Sequence, residues 1–212
     1  MIEIPVHDLT GKQTGNLEVD AKSLGGELRP GLLKQAFVRY HANRRHGAAK
    51  TRNRSETAYS TRKLSRQKGT GNARRGPAGT NIMRGGGHGF AKRPHSWRQK
   101  MPIKMRRLAN RNALLAKALD NEIKIVDGLN FDTPSTKQFA TLLKNLKIDR
   151  SCLIALEDTR TNEARSAANL DRVRLTQISR LNVYDLLNHR YLLTEKGAFE
   201  AYLARTTVEE IG

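Results

Sequence analysis

The stretch "MPIKMRRLANRNALLAKALDNEIKIVDGL", residues 101–129, decides the fold, because a helical repeat passes directly into a strand. One face of the predicted helix is nearly all apolar and consists of Met105, Leu108, Ala109, Asn112, Leu115, Ala116 and Leu119. The run Ile123–Leu129 then predicts a strand that ends in a glycine turn. A helix that leads into a strand is typical of α/β proteins.

The residues that follow repeat this alternation. Helices are predicted at 133–148 and 161–170, and strands at 151–158 and 173–178. The last part of the chain, residues 182–204, predicts a helix, a short strand around Tyr191 to Leu193, and a further helix. Continued alternation of this kind favours parallel strands joined by helices.

The residues that precede the opening stretch predict a hairpin and one more helix. Ile2, Ile4 and Val6 alternate with other residues, and glycines at 11 and 15 favour a turn to a second strand. A helix is expected from Pro30, with an inner face of Leu32, Leu33, Ala36, Phe37 and Tyr40.

These elements predict an α/β fold with three layers, in which helices flank a mainly parallel, Rossmann-like sheet. Periodicity stops between the first two helices, where a long irregular basic loop is inserted. We expect a single globular domain of residues 1–46 plus 103–212, with an extended loop at 47–102 whose ends lie close together.

Charge is concentrated in and around this insertion. The 212 residues carry a formal charge of +19, of which +18 lies between Arg44 and Arg107. No Asp or Glu occurs from Thr57 to Leu119, and the rest of the chain is nearly neutral. Such an excess implies a polyanionic partner. A membrane is disfavoured, because the insertion has no apolar face and no window approaches the roughly 20 apolar residues of a span.

Cysteine and histidine usage excludes two kinds of site. Cys152 is the single cysteine, so neither a disulfide framework nor a multi-cysteine zinc site is expected within the chain, and a reducing cytoplasm suits it. The six histidines show no metal-ligand spacing, and the residues after Met1 predict no signal peptide. We expect no metal and no cofactor.

The composition of the loop favours folded RNA over a DNA duplex. Arginine forks bind phosphates, and glycines let the backbone approach a ligand closely. Neutral hydrogen-bonding side chains and sparse aromatic rings for stacking accompany them: Ser65, Gln67, Thr70 and Asn72, with Tyr59, His88, Phe90 and Trp97. No helix-turn-helix is visible. The alternative is a generic disordered basic arm.

Enzymatic interpretations rest on few residues. The run from Gln67 to Arg74 resembles a phosphate cradle but lacks the Gly-Lys-Ser/Thr ending, and no strand precedes it. Glu157 and Asp158 follow a predicted strand, where α/β enzymes often hold carboxylates. Two alternatives therefore stay open: a nucleic-acid-acting enzyme with a basic substrate arm, and a regulatory module that binds a messenger leader.

Four motifs carry a family resemblance: "RKLSRQKGTGNARRG" (62–76), "RGGG" (84–87), "MRRLANRNALLAKA" (105–118) and "LNVYDLL" (181–187). In order and spacing they resemble the bacterial family of large-subunit ribosomal protein four. The resemblance implies a structural, non-enzymatic protein of the cytoplasmic ribosome whose α/β domain lies on the large subunit. It also implies that the loop reaches into ribosomal RNA and lines part of the nascent-peptide exit tunnel.

Site residues follow by position. The resemblance places at the tunnel Lys63, Arg66, Gln67, Lys68, Gly69 and Thr70. The expected contacts to ribosomal RNA comprise these six and Arg44, Arg45, Lys50, Arg52, Arg54, Arg62, Gly71, Arg74, Arg75, Arg84, Gly85, Gly86, Gly87, Lys92, Arg93, Trp97, Lys100, Lys104, Arg106 and Arg107. Expected partners are large-subunit ribosomal RNA, neighbouring large-subunit proteins and the nascent polypeptide, with no membrane, no small-molecule substrate and no catalytic residue.

Overall fold

A computed structural model of the chain describes residues 1–158 and 161–208. The chain divides into two compact units. One unit, called here the basic segment, comprises residues 42–99. The other, called here the domain, comprises residues 1–41 and the chain from Lys100 onward.

The described residues form six strands and six α-helices. The strands are β1 (Ile2–His7), β2 (Gln13–Val19), β3 (Ile123–Val126), β4 (Cys152–Leu156), β5 (Val173–Gln177) and β6 (Tyr191–Glu195). The helices are α1 (Pro30–Asn43), α2 (Ile103–Leu119), α3 (Thr136–Asn145), α4 (Asn162–Ala167), α5 (Val183–Asn188) and α6 (Lys196–Val208). A short 3-10 helix, Ile178–Arg180, precedes α5. Every helix and strand predicted from the sequence is present, although β3 ends three residues earlier than expected.

The strands form one mixed sheet with the order β2-β1-β3-β6-β4-β5. β1 and β2 pair antiparallel as the predicted hairpin, with Ile4 opposite Leu17. The four other pairings are parallel. The α/β class expected from the alternation of elements is therefore confirmed.

Strand β4 lies in the interior of the sheet and is buried on both faces. Its alternate side chains enter different apolar clusters: Leu153 joins the cluster that contains Leu114 of α2. Ile154 joins the cluster that contains Phe139 of α3. Burial on both faces explains why β4 is a continuous apolar run rather than an alternating pattern.

The predicted inner face of α2 is wrong in part. Met105 and Leu119 were expected to face inward, but they are 36% and 51% exposed. Ala113, Leu114 and Ala118 are buried instead. Because α2 packs against β1 and also against α5, it buries a broader and rotated surface than a single amphipathic stripe.

Two asparagines of α2 fasten loops to the helix. The Asn112 side chain is fully buried; its Oδ1 accepts from the backbone N–H of Arg29 and its Nδ2 donates to the carbonyl of Glu27, both at 2.7 Å. Asn110 accepts from the N–H of Val183 and donates to the carbonyl of Leu181, both at 3.1 Å. These side chains satisfy backbone groups at the start of α1 and α5, so they fasten the beginning of both helices to α2.

Three helices, α3, α4 and α5, have a side-chain cap at the N-terminus. Ser135, Thr161 and Asn182 each accept a hydrogen bond from a backbone N–H three residues on. In α5 the Asp185 carboxylate also accepts from the Asn182 side chain at 2.8 Å, so both residues tie the first turn together. The first turn of the "NVYDLL" motif is therefore held by side chains from within the motif.

Candidate nucleic-acid interface

The basic segment contains no helix beyond the last residues of α1 and no strand among its residues. Turns, bends and one isolated bridge, between Asn53 and His88, make up its backbone. It holds fifteen Lys and Arg residues and one acid, Glu56. Its backbone groups therefore bond across turns and arms rather than within regular elements.

An outgoing arm and a returning arm are bonded at intervals of about four residues. The Asn43 side chain bonds to the backbone of Gln99, and the N–H of His95 donates to the carbonyl of Gly47 at 2.9 Å. Farther along, the N–H of Thr51 donates to the carbonyl of Lys92 at 3.0 Å. The two ends of the segment therefore meet, and the arms run side by side.

The arms also approach each other closely at the predicted triple-glycine turn. Gly87 is buried against the backbone of Arg54, and a Cβ atom at this position would collide with the Arg54 nitrogen. Its own N–H donates to the carbonyl of Gly79 at 3.2 Å, while the next residue, His88, donates to the carbonyl of Arg52 at 2.9 Å. Glycine is needed here for close approach of two backbones.

The predicted tunnel residues lie on a compact turn at 62–76. The N–H of Leu64 donates to the carbonyl of Gly76 at 3.2 Å and closes the turn. Arg66 Nη2 donates to the carbonyl of Gly69 at 2.7 Å, and Gly69 adopts a φ of +81° that favours glycine. The Lys63 ammonium bonds to the side chain of Gln67. These contacts give the turn a defined shape and leave its basic side chains on the surface.

Glu56, the one acid of the basic segment, bonds to residues of the segment itself. Its carboxylate accepts from the N–H of Asn53 at 3.3 Å and lies 3.3 Å from the Lys50 ammonium. The backbone N–H of Asn53 and, next, the Lys50 hydrogen bond lower the pKa of this carboxyl. The acid therefore stays ionised and stabilises a turn, and the excess positive charge remains available to a partner.

Almost all of the predicted RNA-contacting residues are exposed. The exceptions are Gly86 and Arg106, which are half-buried, and Gly87, which is buried. Lys100, Lys104, Arg106 and Arg107 belong to the domain, where the last three lie on α2. The remaining predicted residues fall within the basic segment.

The sequence did not indicate which residues of the outgoing arm contact which residues of the returning arm. The Arg45 guanidinium lies 3.9 Å from the centroid of the Trp97 ring, and the His95 ring meets the same indole edge-on at 4.8 Å. Arg45 and Trp97 are 52 positions apart in an aperiodic stretch. No local pattern predicts which arginine meets the tryptophan.

The acidic residues at the end of β4 and the single cysteine differ in their exposure to solvent. Glu157 and Asp158 are both exposed at the carboxyl end of β4. Cys152 is fully buried, and burial raises the pKa of its thiol to about 12, so it fills the core as a neutral group. Among the described residues, no cluster of His, Cys, Asp or Glu is suited to a metal ion, and no helix is long and apolar enough to cross a membrane.

The fold and the segment together define a class of protein. An α/β domain with 24 basic and 19 acidic residues is joined to a polycationic, glycine-rich segment with 15 basic residues and one acid. This pattern is typical of proteins that pack against folded RNA. Comparisons with known proteins give the family. Residues 17–205 match the sequence pattern of the ribosomal protein L4/L1 family. The chain belongs to this family.

Three bacterial relatives illustrate the similarity, and each bears the name large ribosomal subunit protein uL4. The relative from Dehalococcoides mccartyi is 38% identical over 197 residues, which cover 93% of this chain and 94% of the relative. The relative from Moorella thermoacetica is 37% identical, over 93% of this chain and 96% of the relative. The relative from Symbiobacterium thermophilum is 39% identical, over 88% of this chain and 90% of the relative. The resemblance seen in the four motifs is thus confirmed, and a family of ribosomal proteins leaves the enzymatic alternative without support.

Proposed function

We propose that this chain is a structural constituent of the large subunit of the cytoplasmic ribosome and that it binds large-subunit ribosomal RNA through its basic loop. The observation that carries the proposal is the exposed positive charge of residues 42–99, which contain fifteen basic side chains and one acid. Hydrogen bonds between the two arms already hold the backbone that carries this charge in a defined shape. Neutralising phosphates with such a surface releases counterions, which is the main source of sequence-independent RNA affinity.

The domain and the loop have different tasks in this proposal. Residues 1–46 and 103–212 supply a folded anchor, and residues 47–102 form the RNA-binding extension. Helices on both faces of a mainly parallel sheet support a Rossmann-like layering for the anchor. Its strand order, however, differs from the usual doubly wound orders.

The turn at 62–76 is proposed to line the nascent-peptide tunnel. Three features support this assignment: the match to the family motif, the exposure of the side chains from Arg66 to Thr70, and the glycine-dependent shape of the turn. A turn that carries exposed Lys and Arg side chains on a defined backbone can contact RNA on one side and a passing polypeptide on the other. Neighbouring large-subunit proteins are the remaining proposed partners.

Co-sedimentation tests the ribosomal assignment. A tagged full-length chain, expressed in a bacterial cell, is expected to migrate with large subunits on a sucrose gradient and to stay with them at moderate salt. Free protein without ribosomes provides the control, since it stays at the top of the gradient. Migration only at the top in the presence of ribosomes would contradict the assignment. The messenger-binding alternative rests on the same basic surface, and no observation favours it over the ribosomal one.

A further inference from the structure

A cavity of about 430 Å³ opens at the base of the basic segment, where the two arms begin. Its walls come from the outgoing residues Asn43, Arg45 and His46 and from the returning residues Trp97 and Arg98. This volume is in the range of small-ligand sites and accommodates a nucleobase. None of the lining residues is acidic, so the cavity suits a ligand attached to phosphates.

One wall of the cavity is a stacked pair of a cation and an aromatic ring. The Arg45 guanidinium is 3.9 Å from the Trp97 ring centroid, and His95 buttresses the indole from its edge. Trp97 nevertheless remains 39% exposed. Indole rings and guanidinium planes are the surfaces on which unpaired RNA bases stack.

Hydrogen bonds hold this wall in place before any ligand arrives. The Asn43 side chain accepts from the N–H of Gln99 at 2.7 Å and donates to its carbonyl at 3.3 Å. On the other side of Trp97, the backbones of Gly47 and His95 approach so closely that a Cβ on the glycine would collide with the His95 carbonyl oxygen. A site that is already formed loses little conformational entropy on binding.

The other aromatic residues of the segment offer poorer sites. The Tyr59 ring lies directly against the backbone of Gly79, so that contact occupies part of its stacking surface. Phe90 is fully exposed, so it lacks walls to orient a base. Trp97 is the ring that combines an exposed surface, a partner cation and an enclosing cavity.

We propose that Trp97 and Arg45 form a binding site for an unstacked RNA base, and that Arg98 binds an adjoining phosphate. The inference rests on the proposed ribosomal function and deepens it. It specifies that the base of the segment binds a looped or single-stranded element, whereas a rigid duplex has no free base to insert.

Intrinsic fluorescence tests the site in the unmodified full chain, because Trp97 is the single tryptophan. The chain is titrated with a short oligoadenylate and, separately, with duplex RNA of equal phosphate content. Oligoadenylate is expected to quench and shift the Trp97 emission, and the duplex is expected to change it much less. Equal responses to both RNAs, or no response to oligoadenylate that binds, would overturn the inference.

Three variants provide an independent measurement by filter binding. Trp97→Leu is expected to weaken oligoadenylate binding about tenfold, since one base stacked on an aromatic ring contributes about that much. Trp97→Phe retains a ring and should recover most of the affinity. Ile82→Ala, which removes an exposed apolar side chain of the same segment that carries no ring, is the control and should change affinity less than about twofold.

The outcomes separate this site from the wider function. Wild-type affinity in Trp97→Leu, or the same loss for oligoadenylate and duplex, would overturn the base site and leave the ribosomal function standing. Failure of the wild-type chain to bind either RNA, together with failure to co-sediment with large subunits, would overturn both.

Discussion

At the residue scale, buried polar side chains help to specify this domain. Asn112 lies on the buried face of α2, and its amide satisfies a backbone N–H and a backbone carbonyl of the loop before α1. Lys117, also buried on α2, donates to Glu122 and to the carbonyl of Arg190, both at 2.7 Å. Such groups are stable inside a protein because their hydrogen bonds replace those made with water in the unfolded chain.

Replacing Asn112 with Ala should lower the free energy of unfolding by about 2 kcal/mol or more, because two backbone groups lose their partners. Urea unfolding followed by circular dichroism measures the change. Gln35→Ala, at an exposed position of α1, is the control and is expected to stay within about 0.5 kcal/mol. A decrease as small as the control's would show that water or a rearranged loop replaces the amide.

Stability should also depend on pH through Glu195 at the carboxyl edge of the sheet. Burial raises the pKa of this carboxyl above its ordinary value of 4.5, and the charges of Glu157, Glu163 and Asp127 raise it further. Because the folded pKa exceeds the unfolded one, the favourable contribution is complete below the ordinary value and is lost as pH rises through the folded value.

Glu195→Gln is therefore expected to stabilise the protein near neutral pH by about 0.5 kcal/mol, and this gain should disappear below about pH 4. Thermal unfolding at a series of pH values measures it. Glu200→Gln, an exposed carboxylate of α6, is the control. A gain that is the same at all pH values would show that the carboxyl's charge is not responsible.

At the scale of elements, the sequence predicted the domain well because its signals are local. The alternation in β1 and the helical repeat of α3 each arise within a few residues. The rotated burial of α2 was not predictable, since it depends on which elements pack against both sides of the helix. The mixed sheet follows from the hairpin, but the placement of β6 between β3 and β4 is a non-local result.

The basic segment shows the limit of local signals. Its charge and glycines favour the proposed RNA partner, and the motif at 62–76 is one of the four that resemble the family. The pairing of Arg45 with Trp97 and of Gly87 with Arg54 joins residues in stretches without periodicity, so only three-dimensional structure reveals it. The sequence thus supports the proposed RNA ligand, while the structure supplies the arrangement of the arms.

Close approach at Gly87 gives a prediction about the segment. Gly87→Ala should push the arms apart at Arg54, disturb the hydrogen bond from His88 to Arg52, and weaken binding to large-subunit ribosomal RNA several-fold. Filter binding at one salt concentration measures this decrease. Gly76→Ala is the matched control, because its Cβ would meet only the Thr80 methyl group at 3.7 Å. Equal affinities for the two variants would show that the arms tolerate separation.

At the scale of the whole molecule, the proposed function assigns folding and RNA binding to different parts of the chain. The domain contains the sheet and both apolar clusters. The segment contains most of the excess charge and few large apolar side chains. RNA binding can therefore be weakened without unfolding the domain, provided that a deletion in the segment joins the two arms next to residues that are already hydrogen-bonded to each other.

The most direct test is the salt dependence of binding to large-subunit ribosomal RNA. In the test variant, Asn-Gly replaces residues 52–91, since Thr51 and Lys92 are already hydrogen-bonded and this dipeptide closes a tight hairpin. The replacement removes nine Lys and Arg residues and one acid. A control variant changes three exposed lysines of the domain, Lys137, Lys144 and Lys147, to Gln.

We predict that the shortened chain unfolds at nearly the temperature of the full chain, while the slope of log affinity against log salt becomes shallower by several units. Each phosphate that the shortened chain no longer neutralises lowers the magnitude of that slope by about 0.7 to 0.9. The lysine control should keep the full slope. An unchanged slope in a folded, shortened chain would contradict the assignment, because the phosphate-binding residues would then lie outside residues 52–91.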